Sequence, residues 1–199
     1  MAELLDLLVA IASGDRPLAR ASLDSAPLLA TARLARPDER FVTECHAQLY
    51  AGDTALHVAA LAYDVDTARD LVARGADVRA RNRRGAEPLH AATAHTTGSP
   101  HRNPAGQRAI IEFLVAAGAD PNATALGGVT PLHRAVRNRC SVAVEALLRA
   151  GADPRRANDH GSTPTDLAHR PTGRGGTGSE PAKAEQQRII DALHNAKMG

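Results

Sequence analysis

A four-residue signature returns along this chain at a fixed period, and no other feature limits the fold as strongly. It reads Thr54-Ala-Leu-His57, Glu87-Pro-Leu-His90, Thr130-Pro-Leu-His133 and Thr163-Pro-Thr-Asp166, with starts at 54, 87, 130 and 163 and separations of 33, 43 and 33 residues. A second marker, Gly-Ala-Asp, begins at Gly75, Gly118 and Gly151, with separations of 43 and 33. Both series carry the same ten extra residues, so one insertion interrupts a period of 33. A unit this short cannot bury its own apolar face and has to stack on its neighbours.

Each marker has a physical role. Thr130 offers a hydroxyl to the first N–H groups of a helix, Pro131 takes the position where a missing N–H costs nothing, and Leu132 begins the buried stripe. His57, His90 and His133 stand near helix starts, where each can tie a turn to neighbouring backbone. Gly75, Gly118 and Gly151 follow the apolar runs Leu71–Val72, Phe113–Val115 and Ala146–Leu148, and each is suited to the left-handed conformation that ends a helix. Between the markers, Ile110, Ile111, Leu114 and Val115 form one helical stripe and Val142, Val144, Leu147 and Leu148 another.

The chain resembles, on these residues, the ankyrin repeat family, whose unit is a β-turn finger followed by two antiparallel helices and whose hallmark is a Thr-Pro-Leu-His turn. The resemblance covers residues 52–170 best and extends more weakly to both ends. It implies an all-α, ankyrin-type solenoid of about five helix-turn-helix repeats with β-turn fingers, folded as one domain. The expected units are an N-terminal capping repeat with an enlarged first finger (1–51), central repeats (52–84, 85–127 and 128–160) and a C-terminal capping repeat (161–199). Within the first unit, Leu4–Ser13 and Pro17–Leu23 read as helices, Pro27–Arg36 as a further short one, and Phe41, Cys45, His46 and Tyr50 fall in the enlarged finger. Ala184–Ala196 reads as the last helix, while Thr165 and Asp166 depart from the family pattern. Two long loops, 96–107 and 171–183, fall inside repeats rather than between them.

Composition agrees with a stack of small helices. Apolar residues make up 43% of the chain but aromatics only 2%, with no tryptophan, so the core must be built from Ala, Leu, Val and Ile. Lys183 and Lys197 are the only lysines, an arginine preference expected of a GC-rich bacterial genome. Cys45 and Cys140 are too few and too far apart for a disulfide framework, which fits a reducing, cytoplasmic compartment. The apolar stretch Leu4–Ala12 is broken by Asp6 and follows Glu3, and it is too short to span a bilayer.

No nucleophile–base spacing or phosphate-binding loop is present, because the glycine-rich run 173–178 lacks the lysine such a loop needs. The repeated histidines are expected one repeat apart, too far for one metal ion with bonds of about 2 Å. We therefore expect no catalytic residue, metal or cofactor, and a monomer that binds a protein partner. The resemblance places the binding surface on finger tips and first-helix faces, here carrying Arg79, Arg81, Arg83, Arg84, Arg134, Arg137, Arg155 and Arg156. Guanidinium groups suit an acidic partner, and the absence of aromatics among them disfavours nucleic acid. The alternative is a small-molecule or enzymatic site built by the two loops, drawing on His95, His101, Arg102, Asn103, Arg139, Cys140, His169 and Arg174.

Overall fold

The computed structural model describes residues 2–43, 47–94, 103–170 and 180–196. Among the described residues five pairs of helices follow one another: α1 (Ala2–Ser13) with α2 (Arg16–Ser25), α3 (Ala55–Leu61) with α4 (Val65–Ala73), α5 (Pro88–Ala91) with α6 (Pro104–Ala116), α7 (Pro131–Arg137) with α8 (Ser141–Arg149), and α9 (Pro164–Ala168) with α10 (Glu180–Asn195). The first member of each pair packs on the first member of the next, forming an inner row α1, α3, α5, α7, α9. The second members form an outer row in the same way. Between the rows lies a continuous core that includes Leu7, Leu56, Leu89, Ile111, Leu132 and Leu147, each fully buried, with Ala59, Ala135 and Ala143 letting the helices approach closely.

The histidines hold consecutive repeats together. His57 Nδ1 accepts the Thr54 N–H at 3.2 Å, and its Nε2 lies 3.0 Å from the Ala86 carbonyl of the next finger. His90 repeats this with Glu87 N–H and the Val129 carbonyl, and His133 with Thr130 N–H and the Ser162 carbonyl. One nitrogen must accept and the other must donate, so each ring is the neutral Nε2–H tautomer. Burial holds all three below the ordinary histidine range, His90 at about 3. Asp166 explains its own departure from the pattern: its Oδ2 accepts the Thr163 N–H at 2.8 Å, and no further finger follows α9 among the described residues.

The Gly-Ala-Asp marker is a helix stop followed by a turn. Gly118 has φ of 103°, the Ala119 N–H returns to the Leu114 carbonyl at 2.9 Å, and Asp120 accepts the Asn122 N–H at 2.8 Å. Gly75 and Gly151 lie in the same conformation.

Four local expectations are corrected. The loops expected at 96–107 and 171–183 are both shortened, because Pro104 at the first helical position starts α6 and α10 begins at Glu180. Helix over Pro27–Arg36 is reduced to a 3-10 turn at Pro27–Ala30, where the Thr31 hydroxyl bonds back to the Leu28 carbonyl, and a second such turn starts at Arg36. The enlarged first finger adds a small strand pair to the all-α plan: β1 (Arg40–Val42) runs antiparallel to β2 (Ala47–Leu49), burying Val42 and Leu49. The finger's base is fixed where the Leu34 N–H reaches the Asp53 carbonyl and the Gly52 N–H reaches the Leu34 carbonyl, both at 2.8 Å.

Candidate functional site

The fingers form a laterally bonded row. Arg83 N–H donates to the Ala51 carbonyl, Leu126 N–H to the Arg84 carbonyl and Asp159 N–H to the Gly127 carbonyl, at 2.7, 2.8 and 3.0 Å. Asn82 folds its own finger by accepting the Arg84 and Ala86 N–H groups, and it donates to Asp53 at 2.8 Å. The arginines on this row thus project from a fixed backbone.

They divide by what they touch. Arg79 donates to the Gly118 carbonyl at 2.8 Å, and Arg81 donates to Glu87 at 3.0 Å. Arg83 grips Glu39 through both Nε and Nη2, and Glu39 is held below the usual carboxylate range by that contact and by the Ala51 N–H. Arg155 is mostly exposed, with Asp153 3.8 Å away. Arg84 and Arg83 each lie 5.2 Å from the centre of the Tyr50 ring. Arg134 and Arg137 extend from α7 on the inner row, and Arg156 stands exposed on the last finger. None of Arg84, Arg134, Arg137 or Arg156 has a carboxylate partner among the described residues.

Arg134 is the half-buried member of this set. Burial lowers its affinity for its proton, and the charges of Arg84 and Arg137 lower it further, against opposing contributions from Tyr50 and Asp53. It lines a cavity of about 230 Å³ between β2, α3, α5 and α7, together with Leu49, Tyr50, Asp53, His57 and Asn82.

Of the loop set, His95, His101, Arg102 and Arg174 lie outside the described residues. Asn103 caps α6 by accepting the Gly106 N–H at 3.0 Å. The Cys140 thiol donates to Gln107 at 2.8 Å, and Gln107 is itself bonded to the Ala92 carbonyl. Arg139, in a left-handed turn with φ of 57°, donates to the Arg170 carbonyl. His169 sits 3.1 Å from the Thr165 carbonyl beside a depression lined by Asp191 and His194. Arg139 and Cys140 share the α7–α8 turn, whereas Asn103 and His169 belong to the repeats on either side.

A family model for ankyrin repeats in three copies matches residues 7–125, and a model for ankyrin repeats in many copies matches residues 114–168. The chain belongs to the ankyrin repeat family. No curated protein matches it in sequence.

Ankyrin repeats are in general protein–protein interaction modules. In this ankyrin repeat chain, no group of three His, Cys, Asp or Glu among the described residues is placed to hold a metal ion, and no described helix is long and apolar enough to cross a membrane. Sequence reasoning overlooked Glu39, Tyr50 and Glu87 as neighbours of the arginines. Glu87 carried a signal, since it replaces the threonine found at 54, 130 and 163. Glu39 carried none, lying 44 residues from Arg83.

Proposed function

We propose that this ankyrin repeat protein binds an acidic polypeptide partner across its fingers and inner helices, with Arg84, Arg134, Arg137 and Arg156 as the charges the partner meets. The observation that carries this is the division of labour: Arg79, Arg81 and Arg83 donate side-chain hydrogen bonds within the fold and Arg155 lies near Asp153, while Arg84, Arg134, Arg137 and Arg156 have neither a side-chain hydrogen bond nor a carboxylate partner among the described residues. Two of the four, Arg84 and Arg137, also oppose the charge on Arg134, so like charges are held together at one place. Such an arrangement attracts and orients an anionic surface.

The test is selection from a random-peptide phage library on the immobilised full chain. Acidic peptides should be enriched, and their capture should fall by tenfold or more with Arg84→Glu plus Arg137→Glu, and also with rising salt. Arg79→Glu should leave capture intact. Enrichment of peptides without acidic residues would defeat the proposal; loss of capture only with His101→Ala plus Arg102→Ala would move the binding surface to the loops.

A further inference from the structure

Building on the acidic-partner reading, we propose that the cavity walled by β2 and the inner helices is a socket for one aspartate or glutamate side chain of the partner, with the Arg134 guanidinium as its seat. Its size suits this occupant. At about 230 Å³ the cavity is below the roughly 300–1,000 Å³ of small-molecule sites, yet open to a single side chain. Its walls are largely apolar, from Ala47, Leu49, Leu61, Ala91 and Ala94, and suit the methylene stem of a side chain better than a fully hydrated ion.

Asp53, His57 and Asn82 on the polar lining are already hydrogen-bonded within the fold, and Arg134 is the one arginine among the described residues that lines the cavity. Asp53 accepts the Tyr50 N–H at 2.7 Å and the Asn82 amide at 2.8 Å. Both ring nitrogens of His57 are bonded, and the Gln48 amide donates to the Leu49 carbonyl. Arg134 brings a fork of N–H donors whose side chain meets no acceptor among the described residues, and a carboxylate matches that fork with two parallel bonds. The site favours a monoanion. Arg84 and Arg137 make the surroundings positive, whereas the Asp53 carboxylate on the same wall opposes a doubly charged phosphate.

The experiment uses the full chain labelled with 15N-arginine, following the Arg134 Nε–H resonance as acetyl-Gly-Glu-Gly-amide is added. The Gln counterpart, inorganic phosphate and acetyl-triglycine with a free C-terminus are run at matched ionic strength. A saturable shift with the Glu peptide, at least tenfold weaker with each of the other three, is the expected result. Arg134→Gln, followed by the Tyr50 signals, and Ala91→Leu, which narrows the cavity without changing charge, should each weaken Glu-peptide binding at least tenfold, whereas Arg155→Gln should not. Equal binding of Glu and Gln peptides, tighter binding of phosphate or of the free C-terminus, or unchanged binding in a folded Arg134→Gln protein would overturn the socket. Phage capture of acidic peptides persisting beside any of those results would remove the socket alone; its loss would remove the acidic-partner reading as well.

Discussion

Glu87 occupies the cap position that threonine fills in the other repeats, and replacing it by threonine should stabilise the protein. The side chain is only 3% exposed; Oε1 receives Arg81, but Oε2 is buried without a hydrogen-bond partner. Such an atom costs about 1–3 kcal/mol. Against its removal stand the Arg81 contact, half-exposed on the arginine side and worth under about 1 kcal/mol, and the loss of about one methylene of packing, near 0.8 kcal/mol. Threonine keeps the capping box that Glu87 already forms with His90, as Thr130 does with His133, without burying a second carboxylate oxygen. The net expectation for Glu87→Thr is a gain of about 1 kcal/mol at pH 7.5, roughly 2–4 °C in a chain of this size. Burial raises the Glu87 pKa, so in the wild type its contribution is favourable at low pH and is lost as pH rises through that raised value. The advantage of threonine should therefore shrink towards pH 5. Urea midpoints of both proteins at pH 7.5 and pH 5.0 measure this, with the histidine effects common to both. A less stable variant at pH 7.5, or a gain independent of pH, would refute the reasoning.

The three buried histidines have folded-state pKa values below their unfolded ones, so the unfolded chain binds more protons under acid and stability should fall as pH drops below about 6.5, continuing towards about 3 for His90. The limiting slope is about 1.4 kcal/mol per pH unit for each ring; His90→Gln should flatten the dependence of the urea midpoint on pH, and an unchanged slope would contradict the neutral tautomer. A Cβ on Gly128, at φ of 68°, would lie 2.5 Å from Asp159 Oδ1 and 2.9 Å from its backbone nitrogen, whereas one on Gly127 would meet only a Val129 methyl at 3.9 Å. Gly128→Ala should thus cost about 2 kcal/mol in a urea titration and Gly127→Ala about 1, the strain of a left-handed residue alone; equal losses would deny the close approach of these fingers.

The periodic part of the fold was legible because each repeat writes its start and stop in residues with one physical job: threonine and proline at the entry, histidine to reach the next finger, glycine at the exit. The hairpin was not, since β1 and β2 are three residues each, too short for an alternating pattern to show. The 3-10 turn at Pro27–Ala30 escaped for a related reason: its apolar residues suit a longer helix, and nothing in the sequence marks Thr31 as its end. In the candidate site, sequence placed all eight arginines on fingers and inner helices without distinguishing them. What separates Arg83 from Arg84 is a carboxylate far away in the chain, and what sets Arg134 apart is the wall that β2 builds beside it.

Helix α5 is four residues long and sits in the middle of the inner row, while its outer companion α6 runs for thirteen. That single turn packs fully on α3 but only narrowly on α7, so the inner row is thinnest at the seam between α5 and α7. Where stability is a sum over adjoining units, such a seam is where a pulled or heated chain parts first. The long α6, lying against both α4 and α8, bridges that seam on the outer row, so a heated or pulled chain should part along the inner edge before the outer one.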